Sequence, residues 1–246
     1  MLNYYAQPLD QFEIIFLGYY KNIIPVTNAL MYMLFVYLAI RVLFGMVFVN
    51  LKIIPNNWQT FWEDIYLFVF GLLKQQVGPK GYGYFPLKFT LFLFILFGNI
   101  LGMSLYSFTI TSHALLTFSF SFAFFIGILI IGIITQKIKF LNTFVPSGSP
   151  AVLLPFMIFI EIVSYFSRPF SLAIRLFANM MSGHALLAIL ANFVFVMSKK
   201  NIIIAAIPFL LIVLIIGLEA MIAVLQAYVF TILLCIYLSD SLHGAH

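Results

Sequence analysis

Apolar residues arrive in long unbroken stretches along this chain, separated by short clusters of Pro, Gly, Asn and Lys. Residues 1–23 read as polar to interfacial, with Asp10, Glu13 and several tyrosines, and a first span follows over 24–49. Residues 57–76 break the pattern. Trp58, Phe61, Ile65 and Phe68 form an apolar stripe, Glu63 and Asp64 fall on the polar side, and Asn57 is placed as the N-cap. That combination predicts an amphipathic helix lying in the membrane interface. After the turn-rich VGPKGYGYFP, spans are predicted over 86–106 and 115–136, joined as a helical hairpin through the uncharged SFTITSHAL. A basic loop with strong break signals, KIKFLNTFVPSGSP, ends this part.

Two much longer runs follow, 150–197 and 202–239, joined by SKKN. At 1.5 Å rise per residue the first would be about 72 Å long as a helix, against a hydrocarbon core of about 30 Å. One upright helix cannot fit. The run either breaks near Pro169 or Gly183 or lies strongly tilted, and proline alone does not force a break in a membrane helix. The expected fold is therefore an all-α integral membrane protein forming one membrane domain over 1–246. It has an upright N-terminal span, an interfacial amphipathic helix, a helical hairpin, and two long tilted helices in a C-terminal hairpin. No internal repeat supports an inverted-repeat transporter.

Composition sharpens this picture. Of 246 residues, 64% are hydrophobic and 8% charged, whereas soluble domains carry about 25% charged residues. Such a chain could not cover a surface in water, and its uninterrupted apolar runs favour helices over a barrel. The net charge of +5 does not point to nucleic acid, because Lys and Arg are scattered along the edges of the runs. Arg41, Lys52, Lys74, Lys80, Lys88, Lys137 and Lys139 fall on one side, and Lys21, Lys199 and Lys200 on the other. The positive-inside rule then puts the N-terminus on the outer side. Cys235 has no partner for a disulfide or a metal site and reads as a small hydrophobe. The N-terminus lacks the features of a signal or transit peptide, so either the first span acts as the insertion signal or the protein is made where it works.

The chemistry concentrates in the long runs. Glu161, Ser164, Arg168, Ser171, Arg175, Asn179 and Ser182 are spaced by three or four residues. At 100° per residue all lie within about 40° of Arg175, making one polar face. His184, nine residues beyond Arg175, falls on the opposite face. In the last run, Glu219 and Gln226 share a face, and Ala220, Ala223 and Ala227 near it permit close helix approach. If the two long helices pair through SKKN, Glu219 reaches the depth of the Arg175–His184 region.

Arg175 admits two readings. One is a structural ion pair with Glu219 or Glu161; the other is a charge that acts on a moving ion or a partner, the commoner use of intramembrane arginine. Arginine keeps its proton, so it cannot relay protons, but it can hold a nearby carboxylate ionised. Glu219 and His184 could relay, although a lone helical histidine is often a packing residue. Asn99 and His113 are either helix–helix hydrogen-bonding groups or loop residues.

The stretches PFMIFIEIVSYFSRPFSLAIRLFANMMSGH and EAMIAVLQAYVFTILLCIYLSD, with RLFAN, GH and ExxxxxxQAYVF in combination, resemble subunit a of the F-type ATP synthases over nearly the whole chain. The resemblance implies a proton-translocating, non-enzymatic stator subunit with no cofactor and no metal. Its partners would be the c-subunit ring, the peripheral stalk, other membrane-sector subunits and the lipid bilayer. Arg175 matches the family's essential arginine, Asn179 the asparagine one turn later, and Gln226 the glutamine of the last helix. His184 and Glu219 match a pair whose identities are swapped in many bacteria; the order here resembles the mitochondrial and alpha-proteobacterial type. Glu161, Ser164 and Ser171 correspond to the matrix-side half-channel, Asn99 to a position near the inlet, and His113 to a loop near the outer mouth. The family often has Asp three residues after that Asn, where this chain has Gly102. The implied home is the mitochondrial inner membrane, with a bacterial inner membrane as the alternative.

Three other classes compete. A quinone-linked respiratory subunit would carry intramembrane lysines in broken helices, and here each Lys sits at a span edge. A haem-binding cytochrome needs paired membrane histidines, for which only His113 and His184 are candidates. A structural anchor would use Arg175 and Glu219 as an internal tie.

Overall fold

The computed structural model describes residues 13–20, 24–49, 52–103, 109–137, 140, 153–199 and 202–243. The interfacial segment up to residue 12 lies outside the described residues. So do Lys21, Lys139, most of the KIKFLNTFVPSGSP loop, and Lys200 and Asn201 of the SKKN turn.

Strands β1 (Phe16–Tyr20) and β2 (Ile24–Thr27) pair antiparallel ahead of six helices: α1 (Asn28–Val49), α2 (Asn57–Gln76), α3 (Phe85–Gly102), α4 (Ala114–Gln136), α5 (Leu154–Ser198) and α6 (Ile202–His243). Among the described residues, five helical segments are long and apolar enough to cross a membrane, and α2 is not one of them. The fold is that of an all-α integral membrane protein carrying one small hairpin.

Several boundaries differ from the sequence expectation, each for a local reason. The first span begins at Asn28 rather than 24, because Ile24, Pro25, Val26 and Thr27 form β2. Pro25 has no N–H to give a helix, and its β-branched neighbours suit a strand. Thr27 caps α1, its Oγ1 accepting from the Leu30 N–H at 3.4 Å. The N-cap of α2 is Asn56, not Asn57; its side chain accepts the Asn57 N–H at 3.0 Å. Helix α2 ends at Gln76 with Val77 as its C-cap, and Gly78 follows with φ 71°, donating its N–H to the Lys74 carbonyl at 3.2 Å. Glycine adopts that backbone without strain. The described helical residues of the second span stop at Gly102, and α6 continues past 239 to His243.

Helix α5 is continuous. It breaks neither at Pro169 nor at Gly183, although proline removes one backbone donor. In hydrocarbon, opening further backbone groups would cost several kcal/mol each, which favours keeping the helix whole. Its 45 residues span about 67 Å at 1.5 Å per residue, twice the hydrocarbon thickness.

The chain divides into two compact units, each drawing on α3, α5 and α6. The first comprises Met1–Met46, Leu93–Ala114 and Leu176–Ala227. Its interior is lined by Leu176, Met180 and Leu187 of α5 and by Ala223 and Ala227 of α6. The second comprises Val47–Phe92, Leu115–Arg175 and Tyr228–His246. Here α2 lays Trp62, Val69, Leu72 and Leu73 inward, leaving Trp58, Phe61 and Phe68 of the expected stripe exposed. Apolar residues of α2 therefore extend beyond the face that packs on the core. Tyr66 packs against Phe85 at 4.7 Å between ring centroids, and Phe125 against Tyr165 at 5.2 Å. Polar ties complete this unit. Ser121 donates to the Pro169 carbonyl at 2.7 Å, and Gln136 donates to the carbonyls of Asp240 and Ser241 at 3.2 and 2.7 Å. Cys235 is buried, as a small hydrophobe would be.

Leu73 is wholly enclosed. Leu73→Ala is expected to destabilise this unit by about 2–5 kcal/mol, measured as a lower melting temperature and faster hydrogen exchange over Asn57–Gln76 in the purified protein.

Candidate functional site

The polar stripe of α5 and the face behind it are treated differently by the fold. In the second unit Glu161 and Arg168 are half-buried, and Ser164, Ser171 and Arg175 are exposed. Between them Tyr165, Leu172 and Ala173 turn inward. This unit therefore leaves Ser164, Ser171 and Arg175 of the stripe uncovered and packs the flank beside it. Arg168 forms an ion pair with Asp240 at 3.2 Å, its guanidinium 5.2 Å from the Tyr165 ring centroid and 5.1 Å from that of Tyr237. Arg175, two turns on, makes no ion pair with Glu161 or any other described residue of this unit. Sequence reading placed Arg168 on the stripe but missed Asp240, whose position near the end of α6 gave no periodic signal.

In the first unit α5 buries His184 and exposes Ser182, while Asn179 stays half-buried. His184 Nε2 lies 3.5 Å from Glu219 Oε1, with the two residues 2% and 3% exposed. Both carboxyl oxygens of Glu219 are buried and accept no hydrogen bond among the described residues. A carboxyl beside an imidazole, with no donor fixed upon it, is free to take up and hand on a proton. Gln226, on the same face of α6 as Glu219, is also buried.

Asn99 belongs to this unit as well and is fully buried. Its Nδ2 donates to the Ala223 carbonyl at 3.3 Å, and its Oδ1 accepts from Thr111 Oγ1 at 2.9 Å. Asn99 thus ties α3 to α6 one turn beyond Glu219. Thr111 went unnoticed in the sequence because its partner is set by the 3-10 turn Ile110–Ser112. His113 follows that turn, and burial lowers its pKa from the ordinary histidine value. A side chain at Gly102 would press against Thr109, whose Cβ would lie 3.2 Å from an added Cβ.

Lys88 adds a feature that the sequence did not signal. It lies near the start of α3 as a span-edge lysine should, yet it is only 2% exposed. Among the described residues no group of three or more His, Cys, Asp or Glu could hold a metal ion.

The family profile described as ATP synthase A chain matches residues 30–239. The chain is 46% identical over 243 residues to the ATP synthase subunit a of Acanthamoeba castellanii, covering 97% of this chain and 98% of that one. It is 41% identical over 240 residues to the subunit a of Ehrlichia canis (strain Jake), covering 96% and 98%. With that of Pelagibacter ubique (strain HTCC1062) it shares 41% over 245 residues, covering 98% and 99%.

Valine matches threonine in shape but would leave Asn99 Oδ1 buried without its donor. Thr111→Val is expected to cost about 1–3 kcal/mol and Thr111→Ser much less, measured as melting temperatures of the purified protein.

Proposed function

The chain belongs to the ATP synthase A chain family, and from that premise we propose that it serves the membrane sector as the stator of a rotary proton path. A ring of c subunits, each with one carboxylate, would pass the stripe of α5. Protons would enter from the outer side past His113 and Asn99, be handed on by His184 and Glu219, and neutralise a ring carboxylate. The neutral carboxyl can enter lipid, where a charged one is costly. After nearly a full turn it would release its proton towards the matrix side, past Glu161, Ser164 and Ser171.

Arg175 would separate the two routes. Its guanidinium keeps its proton, so it blocks proton leakage while favouring the ionised carboxylate that passes it. Asn179 would extend the polar surface that meets the ring, and Gln226, buried on the face of Glu219, would line the entry route. Each elementary charge crossing the membrane potential contributes about 2.3 kcal/mol per 100 mV, and the chain makes and breaks no bond itself. The peripheral stalk and further membrane subunits would hold it against rotation. The order of His184 before Glu219 supports a mitochondrial inner-membrane home.

The exposure of Arg175, without an ion pair in its own unit, is the observation that carries this reading. A structural anchor would neutralise that arginine within the chain, as Arg168 is neutralised by Asp240. The test is Arg175→Ala in the assembled complex. Proton-driven ATP synthesis is expected to fall at least about a hundredfold, the scale of losing one placed charge-stabilising group, with the complex intact on a native gel. Persisting synthesis would refute the reading, and loss of assembly alone would favour the anchor.

A further inference from the structure

Gly183 stands in the middle of α5, between Ser182 and His184, where the helix runs on without interruption. Glycine in a helix interior is unfavourable by about 1 kcal/mol relative to alanine. The backbone does not ask for it, since Gly183 is not among the residues with positive φ. Space does. A Cβ built on Gly183 would lie 2.8 Å from Glu219 Oε1, 3.1 Å from its Cδ and 3.5 Å from its Cγ. Relaxed carbon atoms sit about 3.5–4.0 Å apart. By contrast, a Cβ on Gly45, Gly71, Gly98, Gly127 or Gly217, each within a helix, would meet nothing within 4 Å.

We propose that Gly183 is a positioning residue for Glu219: the absent side chain is the seat that lets this carboxyl lie against the backbone of α5 beside His184. This rests on the reading that Glu219 carries protons. The atoms that must give way to a methyl group are the tip of a flexible side chain, so the fold can absorb the change. The carboxyl cannot stay where it is, because its seat is enclosed and its nearest ionisable neighbour is 3.5 Å away. Alanine at 183 therefore acts on the proton path rather than on the packing of the helices. Shortening the acid reverses the effect: aspartate withdraws the carboxyl by about one carbon–carbon bond, roughly 1.5 Å, and returns the space that the methyl group fills.

The experiment compares Gly183→Ala, Glu219→Asp, the double variant and Glu219→Gln in the assembled ATP synthase in membrane vesicles. Proton-driven ATP synthesis, the pH profile of ATP-driven proton pumping and the amount of complex on a native gel are measured. Gly183→Ala is expected to lower synthesis at least about tenfold, since a misplacement of 1 Å can cost a hundredfold, and to shift the pH profile with assembly unchanged. Adding Glu219→Asp is expected to recover activity several-fold over Gly183→Ala, although Glu219→Asp alone is impaired. Near-parental activity of Gly183→Ala, an unshifted pH profile, or losses that multiply in the double variant would overturn the proposal. Should Gly183→Ala fail to assemble, restoration of the complex by Glu219→Asp supports the seat and continued failure overturns it. Transport that survives Glu219→Gln removes the underlying reading of Glu219. Transport lost there but unaffected by Gly183→Ala removes only the seat.

Discussion

A guanidinium that cannot shed its proton, carried on an apolar helix, is the constraint from which the rest of this structure follows. Hydrocarbon offers Arg175 no counter-charge and no water, and insertion of such a residue costs about 2.5–3.5 kcal/mol or more. The same helix shows what neutralisation inside the chain looks like. Arg168 lies two turns earlier on the same face, has Asp240 at 3.2 Å and sits between the rings of Tyr165 and Tyr237. That pair is partly open to its surroundings, so its contribution to stability is modest, but it fixes the guanidinium in one place. Arg175 has no such arrangement in its unit. The contrast between two arginines of one stripe is more informative than either alone, because it separates a charge tied within its unit from one left open.

Helix α5 remains helical through both of its candidate break points. A kink at Pro169 would rotate everything after it about the helix axis. The hydroxyl of Ser121 on the Pro169 carbonyl and the buried face of Tyr165, Leu172 and Ala173 hold the turn before Arg175 against its own unit. Beyond Arg175, Leu176, Met180, His184 and Leu187 continue a buried face at helical spacing. Arg175 stays open in its unit, and His184 is enclosed in the other.

Much of this was legible in the sequence, and the parts that were not share a cause. The long apolar helices and the helix at 57–76 follow from hydrophobic length and a 3.6-residue period, which are local properties. Glu219 could be matched in depth to His184 because both were counted from the same turn. The starting hairpin was missed because Ile24–Thr27 are as apolar as the helix they precede, and only Pro25 and the β-branched residues distinguish them. Asp240, Thr111 and the burial of Lys88 were invisible for another reason. Each depends on which residue of a distant element faces it, and periodicity within one helix carries no such information. Gly183 was read as a possible break, when its role is measured by an atom on another helix.

The division between the open and enclosed groups also follows from what each can do with a proton. Exchange requires a group whose two protonation states are close enough in free energy for both to be visited, and imidazole and carboxyl groups meet that condition where guanidinium does not. Exposing an exchangeable pair on an open stripe would let protons bypass whatever the stripe meets, whereas enclosing it confines them to one path. Enclosing a permanent charge without a partner would be costly, whereas on the proposed reading leaving it open would let a mobile carboxylate offset that cost transiently. The placement of His184 and Glu219 inside their unit, and of Arg175 outside its own, is thus the arrangement in which neither group can replace the other. On the proposed reading, an arginine at 184 would have no proton to give, and a histidine at 175 would let protons pass.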